Sequence, residues 1–398
     1  IGIIKMQSID LNSRLEGKRR RLQKGMEYAC KSALALTAIV MIVFFTALGY
    51  RGIGAFTQTK IDVTVENIES TTKKTINGAM YGLVEDPDRK TKKGLRQLVT
   101  PNAYSTIDIT EPGVYTLVAH TNVDMYVKGV YDKLTDSQRT ITDMLIEDGK
   151  IYRTWNWDFW TGSDSRSPEI AGIWGAAVGT FYTIGLAILF AFPIGVGCAT
   201  YMEEFPKKRN SWTYDFMEIN INNLAAVPSI VYGLLGLAVF IQFFGMPRSA
   251  SLVGGLTLGI LTLPTIVIAC RTALRTVPQS VRDPSNGLGA SRLQTTMYQV
   301  LPAALPGIIT GTIIGIARAI GESAPLLMIG MVAFILTAPT SILDPATSLP
   351  VQIYLWADSP ERGFAEKTSA AILILLLILV TLNLLAIWLR KRFEIKWK

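Results

Sequence analysis

The sequence has few of the residues that most often build catalytic and metal centres. Its 398 residues include one histidine and three cysteines, and Cys30, Cys198 and Cys270 lack the C-x-x-C spacing of a redox or zinc motif. His120 stands alone in a polar region, so we interpret it as a surface residue. The chain also has no G-x-x-x-x-G-K-[ST] motif for binding nucleotide phosphates. We therefore expect no cofactor, no metal and no ATPase activity on this chain.

Charged residues are also scarce. They make up 18% of the chain while hydrophobic residues make up 49%, whereas soluble domains have about 25% charged residues. The net charge is +8, but the basic residues cluster at the ends of apolar runs, which is typical of membrane topology rather than nucleic-acid binding. The composition predicts a mainly α polytopic membrane protein that contacts lipid and no nucleic acid.

Several apolar stretches are long enough to cross a bilayer, which needs about 20 residues per helix. The first is interpreted as an anchor, although Ala47-Leu48-Gly49 leaves a cleaved signal peptide as an alternative. The predicted spans are Ser32–Tyr50, Ile170–Met202, Ile219–Pro247, Ser249–Cys270, one crossing within Leu293–Leu343, and Thr368–Leu389.

The distribution of lysine and arginine predicts the orientation of these spans. The segments 1–31, 203–218, 271–292 and 390–398 carry twenty basic residues, whereas the short opposite loops 245–250 and 344–367 carry three. By the positive-inside rule both termini are expected to be cytoplasmic. A second crossing within Leu293–Leu343 would place Arg390-Lys391-Arg392 outside, so one crossing is expected.

Residues 51–169 predict a small α+β domain on the periplasmic side. Strand alternation is present in "KIDVTVE" and "YSTIDITEPGVYTLVAH", with Pro112-Gly113 as a turn, and Asp136 to Glu147 has a helical pattern. We expect a structural or partner-docking role for this insert. The predicted organisation is a basic N-terminus at 1–31, a helix at 32–50, the insert at 51–169, and a core of five membrane helices at 170–398 with a cytoplasmic loop at about 271–300.

Two charges interrupt the apolar run that contains "GIARAIGESAPLL". Arg318 lies sixteen residues after Pro302, about 24 Å further along a helix, and the i, i+4 spacing predicts Glu322 on the same face one turn later. A charge at this depth costs at least about 2.5 kcal/mol on insertion scales, so it usually faces a bundle interior or a polar path. The alternatives are an internal ion pair and a site for an anion in transit.

Other polar positions in the spans are weaker candidates. Thr310 and Ser323 would add hydroxyl contacts to a substrate path, although hydroxyls in membrane helices commonly bond to their own backbone. Pro228 and Ser229, in "AAVPS", predict a break in the third span and are candidates for a gate. Simple packing is the alternative there.

The loop between the fourth and fifth spans resembles the EAA loop of ABC importer permeases. Arg282-Asp283, Gly289-Ala290 and Leu301-Pro302 carry the likeness. The sequence departs from the pattern at Asp283-Pro284-Ser285, where the family has Glu-Ala-Ala, and at Gln299, where it has Ile. The resemblance implies a short coupling helix that docks on an ATPase subunit, with Pro284 and Gly287 weakening its geometry.

Longer stretches resemble the PstA-type phosphate permease family over about residues 155–398. They include "AGIWGAAVGTFYTIGLAILFAFPIGVGCATYMEEF", "NNLAAVPSIVYGLLGLAVF" and "ARAIGESAPLL". The resemblance implies phosphate import by alternating access, with a PstC-type permease subunit, a PstB-type ATPase dimer that binds ATP and Mg, and a periplasmic phosphate-binding protein. A permease for sulfate or molybdate, and a membrane-anchored sensor or scaffold that works through the insert, remain as alternatives.

Overall fold

The computed structural model describes residues 2–69, 71–84, 87–101, 109–205, 212–287, 289–331 and 334–393. The contacts divide the chain into two compact units at Arg51. The first unit consists of helix α1, Gly2–Gly52. Large apolar side chains are exposed along it from Leu34 to Phe45, as expected of a helix whose surface meets lipid.

The second unit begins with the insert, which is built on a three-stranded antiparallel sheet of order β2-β1-β3. The central strand alternates, so that Ile61, Val63 and Val65 enter the core. The strands are β1 Thr57–Val65, β2 Gly113–Val118 and β3 Ile151–Trp155. The helices around them are α2 Thr72–Tyr81, α3 Arg89–Arg96, α4 Thr121–Val127 and α5 Asp136–Glu147.

The insert confirms several local predictions and corrects one. The helix predicted from Asp136 has the expected bounds because Thr135 and Gln138 form a capping box at its start. The turn predicted at Pro112-Gly113 does not include Gly113. That residue is the first of β2 and pairs with Val65 of β1. The part of that predicted hairpin at 102–108 lies outside the described residues.

The rest of the second unit is helical. A short helix, α6 Trp157–Thr161, leads from the insert to the membrane core. The core helices are α7 Trp174–Glu204, α8 Trp212–Ala226, α9 Ser229–Gly236 with a π-helical continuation Leu237–Phe243, α10 Ser251–Arg275, α11 Gln279–Gly287, α12 Arg292–Thr295 with a π-helical continuation Thr296–Val300, α13 Leu301–Ile320, α14 Ala324–Met328, α15 Leu349–Ala357 and α16 Gly363–Phe393.

Within the described ranges, five helices are long and apolar enough to cross a membrane, or six if the bent pair α8 and α9 forms one span. This confirms the predicted class, a mainly α polytopic protein with a small α+β part. The third predicted span is the one that differs most from expectation: it starts at Trp212 and bends by 101° after Ala226.

Small residues let the core helices approach closely. A Cβ added at Gly255 of α10 would lie 2.5 Å from the Leu186 Cβ of α7, and one added at Gly311 of α13 would lie 2.3 Å from the Ala269 Cβ of α10. In lipid there is little hydrophobic drive between helices, so such close van der Waals packing is the main cohesive contribution. Helix α10 is thereby held between α7 and α13.

A buried polar cluster joins the insert to the start of α16. The Lys128 Nζ lies 2.5 Å from Asp124 Oδ2 within the insert and 3.1 Å from Glu366 Oε2 on α16. The neighbouring Lys367 donates to the carbonyl oxygen of Ala171. These contacts compensate the charges that precede the last apolar run, and they fix the insert to the final membrane helix.

Candidate functional site

The coupling segment, defined here as residues 279–302, contains the short helix that the sequence predicted. Helix α11 runs through positions 284 and 287, although proline and glycine there were expected to weaken it. Gly289 follows with φ +85°, a left-handed conformation that favours glycine because it has no Cβ. Ala290 follows directly, and Asp283 is exposed and accepts a 3.3 Å bond from Gln279 Nε2.

The segment then leads without a break into the membrane. Ser291 and Gln294 form a capping box at the start of α12, and Leu301 and Pro302 occupy the first turn of α13. Pro302 cannot donate to the preceding turn, and that turn is the π-helical stretch Thr296–Val300 rather than regular α-helix. From Arg292 to Ile320 the chain is helical throughout, so the last part of the coupling segment continues directly into the helix that carries Arg318.

Arg282 fastens α11 to the end of α7. Its Nη2 donates to Glu204 Oε1 at 2.7 Å and its Nε donates to Oε2 at 3.2 Å, which is the bidentate geometry that suits a guanidinium and a carboxylate. Its Nη1 also donates to the Val277 carbonyl oxygen at 2.6 Å. In this chain the guanidinium thus holds the coupling helix in place.

A second arginine network lies beside it. The Oε1 atom of Glu203 lies 2.9 Å from Arg271 Nε and 2.8 Å from Arg275 Nη2, while Arg271 Nη2 donates to the Tyr214 hydroxyl at 2.7 Å. The network connects α7, α10 and α8. Sequence reasoning missed it, although the two glutamates at the end of a long apolar run, in "YMEEF", were a signal.

The two networks border an open cavity of about 670 Å³. Carboxylates and guanidiniums from four helices face it, among them Glu203, Glu204, Arg275, Arg282 and Arg292. The cavity lies beside α11, so a movement of the coupling helix would change contacts at the ends of both α7 and α10.

Arg318 and Glu322 lie near each other, but not on one face of a continuous helix as predicted. Helix α13 ends at Ile320, with Gly321 as its C-cap, so the expected continuous helical face is wrong. Glycine after the last turn and Pro325 soon after it are the usual causes of such an ending. The Arg318 Nε still lies 3.9 Å from Glu322 Oε1, and the side chains are 64% and 23% exposed, respectively.

The two hydroxyl candidates, Thr310 and Ser323, lie at different distances from the charged pair. Thr310 donates to the carbonyl oxygen of Pro306 at 2.7 Å and lies eight residues before Arg318, roughly 12 Å along the helix. Ser323 directly follows Glu322 in the break between α13 and α14. The structure therefore brings Ser323, but not Thr310, next to the charged pair.

The break at Pro228 and Ser229 lies on an element that contacts this region. Pro228 is the N-cap of α9, and the Tyr232 hydroxyl donates across the break to the Leu224 carbonyl oxygen at 2.6 Å. A Cβ added at Gly233 of α9 would lie 2.8 Å from the Pro325 Cα of α14. The two interrupted regions of the core are thus connected by the contact between α9 and α14.

The sequence and fold define a class of protein. The family described as "Binding-protein-dependent transport system inner membrane component" matches residues 191–398. The phosphate transport system permease protein PstA 1 of Mycobacterium tuberculosis is 34% identical over 220 residues, which cover 55% of this chain and 70% of the relative. The phosphate transport system permease protein PstC of Haemophilus influenzae is 29% identical, and the matched part covers 51% of this chain and 70% of the relative.

Among solved structures, one of an inward-facing MetNI methionine ABC transporter matches this chain at 18% identity and a TM-score of 0.44. The match covers 56% of this chain and 95% of the chain in that structure. The chain belongs to the family of binding-protein-dependent inner membrane permease components of ABC importers, with PstA-type phosphate permeases among its relatives.

Proposed function

We propose that this chain is the permease subunit of an ATP-driven importer that moves inorganic phosphate inward by alternating access. The observation that carries the proposal is the exposed guanidinium of Arg318, held near Glu322 at the break that ends α13. A planar guanidinium presents paired donors to two phosphate oxygens and stays charged at any physiological pH. The names of the PstA relatives support phosphate as the substrate.

The partners in this proposal supply what the chain itself does not carry. A PstC-type permease subunit completes the path, a PstB-type ATPase dimer binds ATP and Mg, and a periplasmic phosphate-binding protein delivers the substrate. Both termini are cytoplasmic and residues 51–169 are periplasmic. The coupling segment docks on the ATPase, and Pro228 and Ser229 belong to the gate.

The test is uptake of radiolabelled phosphate by the complex reconstituted in vesicles with its ATPase, second permease and binding protein. Uptake that requires ATP and is not reduced by excess sulfate or molybdate supports phosphate import. Sulfate or molybdate that competes as well as phosphate indicates another oxyanion permease. A complex that needs residues 52–150 but not Arg318 indicates a sensor or scaffold.

The Glu322→Gln variant should lose part of its discrimination between phosphate and sulfate. The carboxylate accepts a hydrogen bond from the P–OH group of protonated phosphate, whereas it repels sulfate, which carries no proton at neutral pH. We expect inhibition of uptake by sulfate to increase on the order of tenfold, since an unfavourable charged contact is removed. Measured inhibition constants that do not change would contradict this role for Glu322.

The Arg282→Ala variant should uncouple transport from ATP hydrolysis. Without the guanidinium, α11 loses its bidentate attachment to Glu204 and its bond to Val277, so motion of the ATPase is passed on less efficiently to α7 and α13. Phosphate moved per ATP should fall at least about tenfold, because the loss of even one of these charged hydrogen bonds costs roughly 1.5 to 3 kcal/mol.

Arg292→Ala is the matched control for this variant. Arg292 borders the same cavity, but it is exposed and carries no ion pair to another residue of the described chain. Its removal should leave the phosphate-to-ATP ratio close to that of the native complex. Equal ratios in the two variants would mean that the Arg282 attachment does not transmit the movement.

A further inference from the structure

The insert contains a second polar cavity, remote in sequence from the residues assigned to transport. It is an open cleft of about 450 Å³ between the end of α3, the start of α4 and the approach to α5. Arg96 and Lys133 contribute cationic side chains to it. Its size falls in the range of small-molecule sites, about 300 to 1,000 Å³.

Among the described residues that line the cleft, the charged side chains are all positive. Neither Asp nor Glu is among the residues that line it in the described part of the insert. Within the same described part, some basic side chains have carboxylate partners, since Arg139 Nη2 lies 2.6 Å from Asp132 Oδ2 and Lys128 is paired as described above, whereas Arg96 and Lys133 have no such ion pair among the described residues. Arg96 uses its Nε for the Tyr81 hydroxyl and stacks over that ring at 5.3 Å, which leaves its two Nη groups as donors.

Two neutral side chains in the cleft, His120 and Gln97, have an acceptor occupied within the protein. His120 Nδ1 accepts from the Asn122 N–H at 3.2 Å, so the neutral ring carries its hydrogen on Nε2. Gln97 Oε1 accepts from Gln138 Nε2 at 3.0 Å. Because these two acceptors are used inside the protein, most of the side-chain groups still available to a ligand are N–H donors, with the Asn122 amide offering both a donor and an acceptor.

A ligand that suits this cleft is therefore an acceptor-rich anion. A phosphate group carries acceptor oxygens on every side and up to two negative charges, and it matches both a guanidinium fork and an ammonium group. A carboxylate carries one charge and two acceptor oxygens, whereas sulfate matches the same donors as phosphate and differs from a phosphate ester in lacking an organic body. A phosphate has five heavy atoms and fills only part of the space, since each water-sized group takes about 30 Å³. The remainder, beside Val99 and Leu134, has room for a small organic body.

We propose that the cleft bounded by Arg96, Lys133 and His120 binds a phosphate group, carried either by inorganic phosphate or by a small phosphate ester. The site is separate from Arg318, so it does not rest on the proposed transport function. It gives the insert a ligand-binding role of its own.

Calorimetric titration of the full chain in detergent, without its partners, tests the proposal. The probes are inorganic phosphate, glycerol phosphate and sulfate, and the Arg318→Gln background removes any contribution from the membrane site. Saturable binding of inorganic phosphate or of glycerol phosphate in that background supports the cleft, and the tighter of the two identifies the source of the phosphate group. Sulfate that binds as tightly as both, or no saturable binding of either, overturns the proposal.

Variants of Arg96 and Lys133 show whether the ligand binds in the cleft. Arg96→Gln combined with Lys133→Gln should weaken binding at least about a hundredfold, since two charged contacts are lost, whereas Arg96→Lys should retain part of the affinity. Lys150→Gln is the control, because Lys150 belongs to the same insert but pairs with Asp148. Both cleft residues are exposed, so folding should be preserved, and thermal unfolding checks this. Binding that is unchanged in the double variant places the ligand elsewhere.

Discussion

Arg318→Gln is expected to abolish phosphate uptake while the complex still assembles and hydrolyses ATP. The substitution keeps a polar side chain, although a shorter one, and removes the charge and the paired donors that match two phosphate oxygens. The guanidinium is 64% exposed in this chain and lies 3.9 Å from its carboxylate neighbour, so it is not needed to hold the fold together. We expect uptake to fall about a hundredfold or more.

The matched control is Arg248→Gln. Arg248 is also an exposed arginine at the end of a membrane helix, but it lies in the short loop after α9 and is not part of the charged pair. Phosphate uptake should stay close to the native rate in this variant. An Arg318→Gln complex that transports phosphate as fast as the Arg248→Gln complex would exclude Arg318 from the path and leave an internal ion pair as its role.

Hydropathy predicted the membrane helices well because it follows from single stretches of sequence, whereas the orientation inferred from basic-residue counts stays a prediction. The long helices α7, α10 and α16 occur where uncharged runs exceed the thickness of a bilayer. Pro228 predicted the break in the third span, because proline cannot donate to the preceding turn. The bend of 101° was beyond prediction, since it depends on what each half packs against.

Two features of the site escaped prediction for different reasons. The end of α13 at Ile320 was marked by Gly321 and Pro325, but the i, i+4 spacing of the charges suggested a longer helix. The contacts of Arg282 with Glu204 and of Arg271 with Glu203 join residues 78 and 68 positions apart, respectively. Such pairs form only once small residues have brought α7 and α10 together, so no local sequence pattern predicts them.

Those distant contacts lead to the second large expected effect, on stability. In Glu203→Gln the two guanidiniums of Arg271 and Arg275 lose the carboxylate oxygen that lies 2.9 Å and 2.8 Å from them. The Glu203 side chain is 2% exposed and that of Arg271 is 7% exposed, so one positive charge stays buried without its main counter-ion. Breaking a buried pair in this way costs about 3 to 5 kcal/mol, and the thermal unfolding midpoint of the purified complex should fall by several degrees.

Glu218→Gln separates this effect from the general loss of a negative charge. Glu218 also lies near Arg271, but at 3.4 Å and with a side chain that is 38% exposed, so water screens the interaction and its loss should cost no more than about 1 kcal/mol. The difference between the two variants therefore measures how far burial strengthens the link between α7 and α10. If both unfold at the same temperature, the Glu203 network does not hold these helices together, and the close packing at Gly255 carries the connection together with the attachment of α11 through Glu204.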